Sequence, residues 1–285
     1  MTNPRILIID GNAADVRARQ HVALGYDSGD GYARVLKSLL PGVLCDVIRP
    51  ADGPAPLPAG VSLEQYDGAT MTGSALNIYN GGDAVQRQMD AARAVFAAGI
   101  PFFGSCWGLQ VAVTVAGGKV RANPRGREYG FARRILLNKL GREHPMYAGK
   151  PQVFEAPTIH RDEVSELPVG ATILATNEMG IQAATFSHLR GTFWGVQYHP
   201  EYDCRDIAAA GERYGMTLVN EGLFSDEAAL RSYLSDLRQL HEHPGDAPLA
   251  WKYGLGTAIT DPALRRAEIK NWLDGQVLPR VRLVH

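Results

Sequence analysis

Ile6-Leu7-Ile8-Ile9 is an unbroken apolar run that ends in Asp10-Gly11, which predicts a strand buried on both faces. Residues 12–30 are mixed in polarity and contain glycine, which predicts a loop with at most a short helix. Tyr32, Val35, Leu36 and Leu39 then recur at helical spacing until Pro41-Gly42 ends the pattern. Cys45-Asp46-Val47-Ile48 predicts a second strand, and residues 50–60, with four prolines, predict an irregular loop. Tyr66 to Thr72 predicts a third strand, followed by Gly73-Ser74. Val85, Met89, Ala92 and Phe96 line one face of a helix that Gly99 ends. Ile100-Pro101-Phe102-Phe103 is a fourth strand running into Gly104-Ser105-Cys106-Trp107-Gly108, and Leu109 to Ala116 leaves it as an apolar helix.

Strands alternating with helices imply an α/β fold: a mostly parallel central sheet with helices on both faces. Ligands bind such sheets at the carboxyl ends of the strands, where Asp10, Gly73 and Cys106 all fall. After Gly118 the pattern changes. Arg133 to Leu137, Gln152 to Glu155, Ala171 to Ala175, Ile181 to Phe186 and Thr192 to Tyr198 predict short strands with no long helix between them. Strands following strands predict antiparallel additions to the sheet. From about Asp206 the chain reads as helical. Ser225 is the predicted N-cap of a helix whose stripe is Leu230, Tyr233, Leu234 and Leu237. Residues 243–260 predict a loop, and Thr260-Asp261-Pro262 starts a helix running to Gly275. The expected organisation is a catalytic domain over 1–205 with a helical C-terminal extension, 206–285, packed on it.

Charge removes some function classes. Lysine plus arginine is 29 and aspartate plus glutamate is 30, so nothing predicts nucleic acid or a membrane surface as partner. The three cysteines, Cys45, Cys106 and Cys204, form no CxxC pair and no disulfide framework. No run predicts a leader or a membrane span. The expected location is cytoplasmic. No cluster has metal-ligand spacing and no glycine loop matches a phosphate-binding pattern, so no cofactor is expected.

A free cysteine is most often a buried structural residue. Cys106 differs, because small residues flank it at a predicted strand-to-helix turn. Such a turn exposes its central residue to the free N–H groups and positive dipole end of the following helix. That environment favours a thiolate nucleophile. A nucleophile needs a base. Of the eight histidines, His21, His144, His188, His241, His243 and His285 sit in polar surroundings or at a terminus. His199 ends an apolar strand and is followed by Pro200-Glu201. In an extended segment residues two apart share a side, so Glu201 can orient one nitrogen of His199 while the other faces the thiol.

Gly104-Ser105-Cys106-Trp107-Gly108-Leu109-Gln110 and Gly195-Val196-Gln197-Tyr198-His199-Pro200-Glu201 together resemble the class I glutamine amidotransferases, in their GMP-synthase-like form. Arg127-Glu128-Tyr129-Gly130, and His160-Arg161-Asp162-Glu163 before a Leu-Pro-x-Gly turn, are similar to segments of the same members. The resemblance covers roughly residues 5–203 and implies a flavodoxin-like fold. It implies that Cys106 attacks the side-chain amide of glutamine to give a γ-glutamyl thioester, with His199 as base then acid and Glu201 orienting it. It implies an oxyanion hole from the N–H groups of Gly73 and Trp107. Gln110, with the segment around Glu128-Tyr129, would contact the bound glutamine, and His160 is a further candidate substrate contact.

The chain departs from the family at Thr72-Gly73-Ser74-Ala75, where one glycine stands in place of a Gly-Gly-Pro-like loop. No acceptor domain is recognisable after residue 206. Three functions follow. The chain is a glutaminase supplying ammonia to a separate synthetase subunit, a stand-alone γ-glutamyl hydrolase or peptidase with the same triad, or a non-catalytic module. The intact Cys106, His199 and Glu201 argue against the last.

Overall fold

The computed structural model describes residues 3–284. Its strands are β1 (Arg5–Ile9), β2 (Leu44–Ile48), β3 (Gly68–Met71), β4 (Phe102–Ser105), β5 (Lys119–Ala122), β6 (Glu128–Leu137), β7 (Val153–His160), β8 (Asp162–Glu166), β9 (Thr172–Asn177), β10 (Gly180–His188) and β11 (Gly191–Val196). Nine of them form one sheet in the order β2-β1-β3-β4-β11-β10-β9-β6-β7, while β5 and β8 pair separately. The first five strands in that order are parallel, and those from β10 onward are added antiparallel. The long helices of the first half are α1 (Ala14–Leu24), α2 (Ser28–Leu39), α3 (Asp83–Ala98) and α4 (Trp107–Val115).

The apolar run of β1 serves both faces of the sheet. Ile6 and Ile8 pack with Tyr32 and Leu36 of α2, and with Trp272, Leu273 and Val277 from the C-terminal segment. Leu7 and Ile9 pack with Phe96 of α3 and with Leu109 and Val113 of α4. Each such fully buried side chain stabilises the fold by roughly 1.5–3 kcal/mol. The C-terminal segment is thus part of the main core. Trp272 lies so close to β3 that a Cβ on Gly68 would come within 2.8 Å of its ring.

A buried ion pair ties this segment to the strand that carries the candidate base. Lys150 Nζ lies 2.8 Å from Glu268 Oε1, which also accepts the Tyr198 hydroxyl at 2.6 Å. Tyr198 in turn shares a hydrogen bond of 2.9 Å with Tyr147. Burial pushes Lys150 below its ordinary value, against the pull of Glu268.

Several elements differ from the sequence expectation. Residues 12–30 contain α1 and the start of α2 rather than a loop. α1 buries only Val16, Gln20 and Leu24, so its apolar stripe is too thin to read. Gly29 disguises α2 as a turn; it is there because a Cβ would meet Val47 at 2.6 Å. The N-cap of helix Glu227–Glu242 is Asp226, whose carboxylate accepts from the Ala229 N–H, rather than Ser225. The expected loop 243–260 holds short helices at Ala247–Lys252 and Thr257–Thr260. The helix expected from Thr260 to Gly275 is broken into Pro262–Arg265 and Ala267–Trp272, followed by a wide turn over Leu273–Val277.

Candidate active site

β4 delivers Cys106 into α4 with φ of 53° and ψ of −102°, a conformation unusual for any residue but glycine. Strain of this kind costs roughly 1–3 kcal/mol and persists only where the surroundings impose it. They do so here. A Cβ on Gly104 would lie 2.6 Å from the Gly108 backbone, and one on Gly108 would lie 2.5 Å from the Met71 carbonyl. Strand and helix therefore pack at a distance only glycine allows. The Cys106 N–H donates to the Val196 carbonyl at 2.8 Å, which fixes the turn to β11. Cys106 is 4% exposed, and its sulfur lies 3.8 Å from the Ile159 carbonyl.

Because β11 runs parallel beside β4, the chain beyond Val196 emerges at the same edge as Cys106. His199 is held there by its N–H, which donates to the Pro157 carbonyl at 2.8 Å. His199 Nδ1 lies 2.7 Å from Glu201 Oε1, and the ring stacks on Tyr202 at 4.1 Å. Burial disfavours the charged imidazole, but the Glu201 carboxylate, with Cys106 nearby, outweighs it and pushes His199 up to about 10. The carboxylate thus favours the protonated ring.

Gly73 lies against the imidazole, and a Cβ there would come within 2.4 Å of His199 Cε1. The backbone N–H groups of Gly73 and Trp107 have no acceptor among the described residues. The Trp107 indole is buried and donates to Gln88 at 2.7 Å, which anchors the first turn of α4.

A cavity of about 190 Å³ opens over Cys106, lined also by Gln110, His160, Asn77, Tyr79 and Arg127. Gln110 donates to Gln197 at 3.3 Å. His160 is braced by the Asp162 carbonyl and by Glu128, each at 2.8 Å. Glu128 and Tyr129 do not line this cavity. Glu128 is saturated by His160, Asn177 and Gln182, and the Tyr129 hydroxyl donates to the Ile207 carbonyl at 3.0 Å. Asp10 also lies elsewhere: buried, it accepts the N–H groups of Asn12 and Gly29.

Sequence reasoning missed the outer wall. Asn77 and Tyr79 both donate to the Asp162 carboxylate, at 2.7 and 2.9 Å, and so join the loop after β3 to the start of β8, two residues beyond His160. Tyr214 closes the side, under the Arg127 guanidinium. Polar residues in loops carry no periodic signal, and only the neighbouring motif residues gave a hint. Among the described residues no cluster of His, Cys, Asp or Glu suits a metal ion, and no helix is long and apolar enough to cross a membrane.

A family model for glutamine amidotransferase class-I matches residues 26–210. The chain is 35% identical to a gamma-glutamyl-L-1-hydroxyisopropylamide hydrolase of a Pseudomonas species, over 99% of this chain and 96% of that one. It is 29% identical to gamma-glutamyl peptidase 3 of Arabidopsis thaliana, over 70% of this chain and 80% of that one. A GMP synthase of Symbiobacterium thermophilum is 35% identical, but the match spans 44% of this chain and 24% of the synthase. The fold is shared with a glutamine amidotransferase from Thermotoga maritima, with a TM-score of 0.65 at 19% identity over 97% of this chain and 99% of that one. The mostly parallel sheet, the strand-to-helix cysteine turn and these matches lead to one conclusion: the chain belongs to the class-I glutamine amidotransferase family.

Proposed function

We propose that the protein hydrolyses γ-glutamyl amides of small amines, with Cys106 as nucleophile, His199 as acid and base, and Glu201 orienting it. The observation that carries this reading is the His199 ring, held by Glu201 at 2.7 Å on the sheet edge where Cys106 also emerges. A protonated imidazole beside a cysteine favours the ionised sulfur. The sulfur attacks the γ-carbonyl carbon, and the negative charge that develops on oxygen meets the N–H groups of Gly73 and Trp107. His199 gives its proton to the amide nitrogen, the C–N bond breaks and the amine leaves. Water then attacks the thioester while His199 takes one of its protons, and glutamate and the sulfur are released. Gln110 and His160 face the bound γ-glutamyl group from the cavity wall.

The end-to-end likeness to a hydrolase of a γ-glutamyl amide supports this substrate class. The second reading is a glutaminase that takes glutamine and hands ammonia to a synthetase subunit; the partial GMP synthase match favours it. Steady-state kinetics on γ-glutamyl alkylamides and on glutamine separate the two. The proposal requires the larger amides to have the higher kcat/KM without any added protein. Preference for glutamine, stimulated by a synthetase, would establish the alternative. The division into a catalytic domain over 1–205 and an extension, 206–285, is also proposed. The burial of Trp272 beneath the sheet argues that the extension cannot be removed without unfolding the rest.

The raised His199 value sets the pH dependence. The working form has the ring protonated, so kcat/KM should hold through the neutral range and fall as pH rises through about 10. The same group stabilises the fold fully below about 6.5, its unfolded value, and that contribution is lost as pH climbs through the folded one. In Glu201→Gln the alkaline limb should move down, because the carboxylate that holds the proton is gone. An unmoved limb would exclude Glu201 from that role.

Gly73→Ala should lower kcat by about a hundredfold with little change in melting temperature, because a methyl group there displaces the base rather than the core. Comparing kcat with a thermal melt checks this. A fall in stability with kcat intact would mean that Gly73 serves packing alone.

A further inference from the structure

A second cavity, of about 340 Å³, lies behind the triad, bounded by α2, by the segment 201–206 and by Arg266. Glu201 and Tyr202 line it; the first hydrogen-bonds the His199 ring and the second stacks on it. Three arginines from three different elements line the cavity: Arg34, Arg205 and Arg266. Arg34 lies over the Tyr26 ring, 4.4 Å from its centre. Arg205 donates to the Leu24 carbonyl at 3.0 Å, and Arg266 donates to the Ser38 hydroxyl at 3.4 Å. The Nε of Arg266 is buried with no acceptor. None of the three forms an ion pair with a carboxylate among the described residues.

The acids on the same walls are already engaged. Glu201 pairs with His199, Asp203 lies 3.2 Å from His241, and Asp206 accepts the Tyr26 hydroxyl at 2.8 Å. Burial, with Asp203 nearby, pushes Asp206 above the ordinary carboxylate range, which weakens its share of negative charge. Arginines without carboxylate partners on one cavity wall are the donor set that recognises phosphate and carboxylate groups. The volume suits a small metabolite rather than a single inorganic ion.

We propose that this cavity is an effector site for a small polyanion, held between Arg34, Arg205 and Arg266, and that its occupancy changes turnover through Glu201 and Tyr202. The effect on turnover rests on the triad reading given above; the binding does not. The shared chemistry is two or more negative charges on a compact molecule, from either an organic phosphate or a polycarboxylate. Coupling between such sites typically changes a rate or affinity about fivefold or more.

The test is calorimetric titration of the full chain with pyrophosphate and, separately, with citrate. It is run on the wild type, on Cys106→Ser, and on Arg34→Gln with Arg266→Gln. Arg34 is exposed, so Arg34→Gln alone serves as a variant that leaves the core untouched. Saturable binding is expected to the wild type and to Cys106→Ser, weakened about tenfold or more when the arginines are replaced. The anion that binds more tightly identifies the source of the charge. In the wild type, saturation should alter kcat on a γ-glutamyl amide, and the change should vanish in the arginine variants. Binding in the inactive Cys106→Ser separates failure of this site from failure of the triad. No saturable binding of either anion, binding that survives loss of the arginines unweakened, or saturation that leaves kcat unchanged would each overturn the proposal.

Discussion

Cys106→Ala should lower kcat on γ-glutamyl amides by about 10⁴-fold or more while leaving the fold and the melting temperature close to those of the wild type. The expectation rests on position rather than on residue type. Of the three cysteines only Cys106 stands at a strained strand-to-helix turn, on the sheet edge that also carries His199. Burial pushes Cys45 up to about 11 and Cys204 up to about 12, so neither offers a reactive sulfur near neutral pH. The side chain at 106 is small, and its removal leaves little void, so stability should not follow activity. His199→Ala should approach the same loss, because residues acting as one unit do not contribute additively. Steady-state kinetics with a parallel thermal melt read both quantities. Retention of more than a few per cent of kcat in Cys106→Ala would remove the nucleophile assignment.

The largest stability effect is expected at Glu268. Glu268→Ala leaves Lys150 buried and without its carboxylate, and removes one of the two partners of the Tyr198 hydroxyl. Breaking one side of a buried ion pair costs about 3–5 kcal/mol. For a chain of this size that lowers the melting temperature by on the order of 10 °C. Replacing both partners with apolar side chains should cost much less, because no uncompensated charge remains. Melting curves of Glu268→Ala and of the Lys150→Met, Glu268→Leu double variant decide the point. Equal losses in the two would mean that the cost is one of packing and not of charge.

The geometry of the candidate site was readable in the sequence because its demands are local. A sharp turn needs glycine on both sides of Cys106, and a histidine that meets a carboxylate two residues along needs only a short segment. The parallel half of the sheet was readable because its strands are unbroken apolar runs, buried on both faces. What escaped was set by tertiary contact. Gly29 weakens the local signal of α2, and Val47 packs in the space it leaves. The strands β5 and β8 form a small separate sheet with few apolar positions, so no periodicity announced them. The role of the C-terminal segment was hidden because its helices are short and broken, while Trp272, Leu273 and Val277 reach the core one at a time. Glu128 illustrates the converse. It lies in a recognisable motif, yet its carboxylate braces His160 rather than lining the cavity.

The most direct measurement is mass spectrometry of the enzyme quenched in acid during turnover of a γ-glutamyl amide. The account predicts a γ-glutamyl adduct on the peptide that contains Cys106, absent from Cys106→Ala and from the peptides of Cys45 and Cys204. Turnover with no adduct at Cys106, or an adduct on another residue, would contradict it.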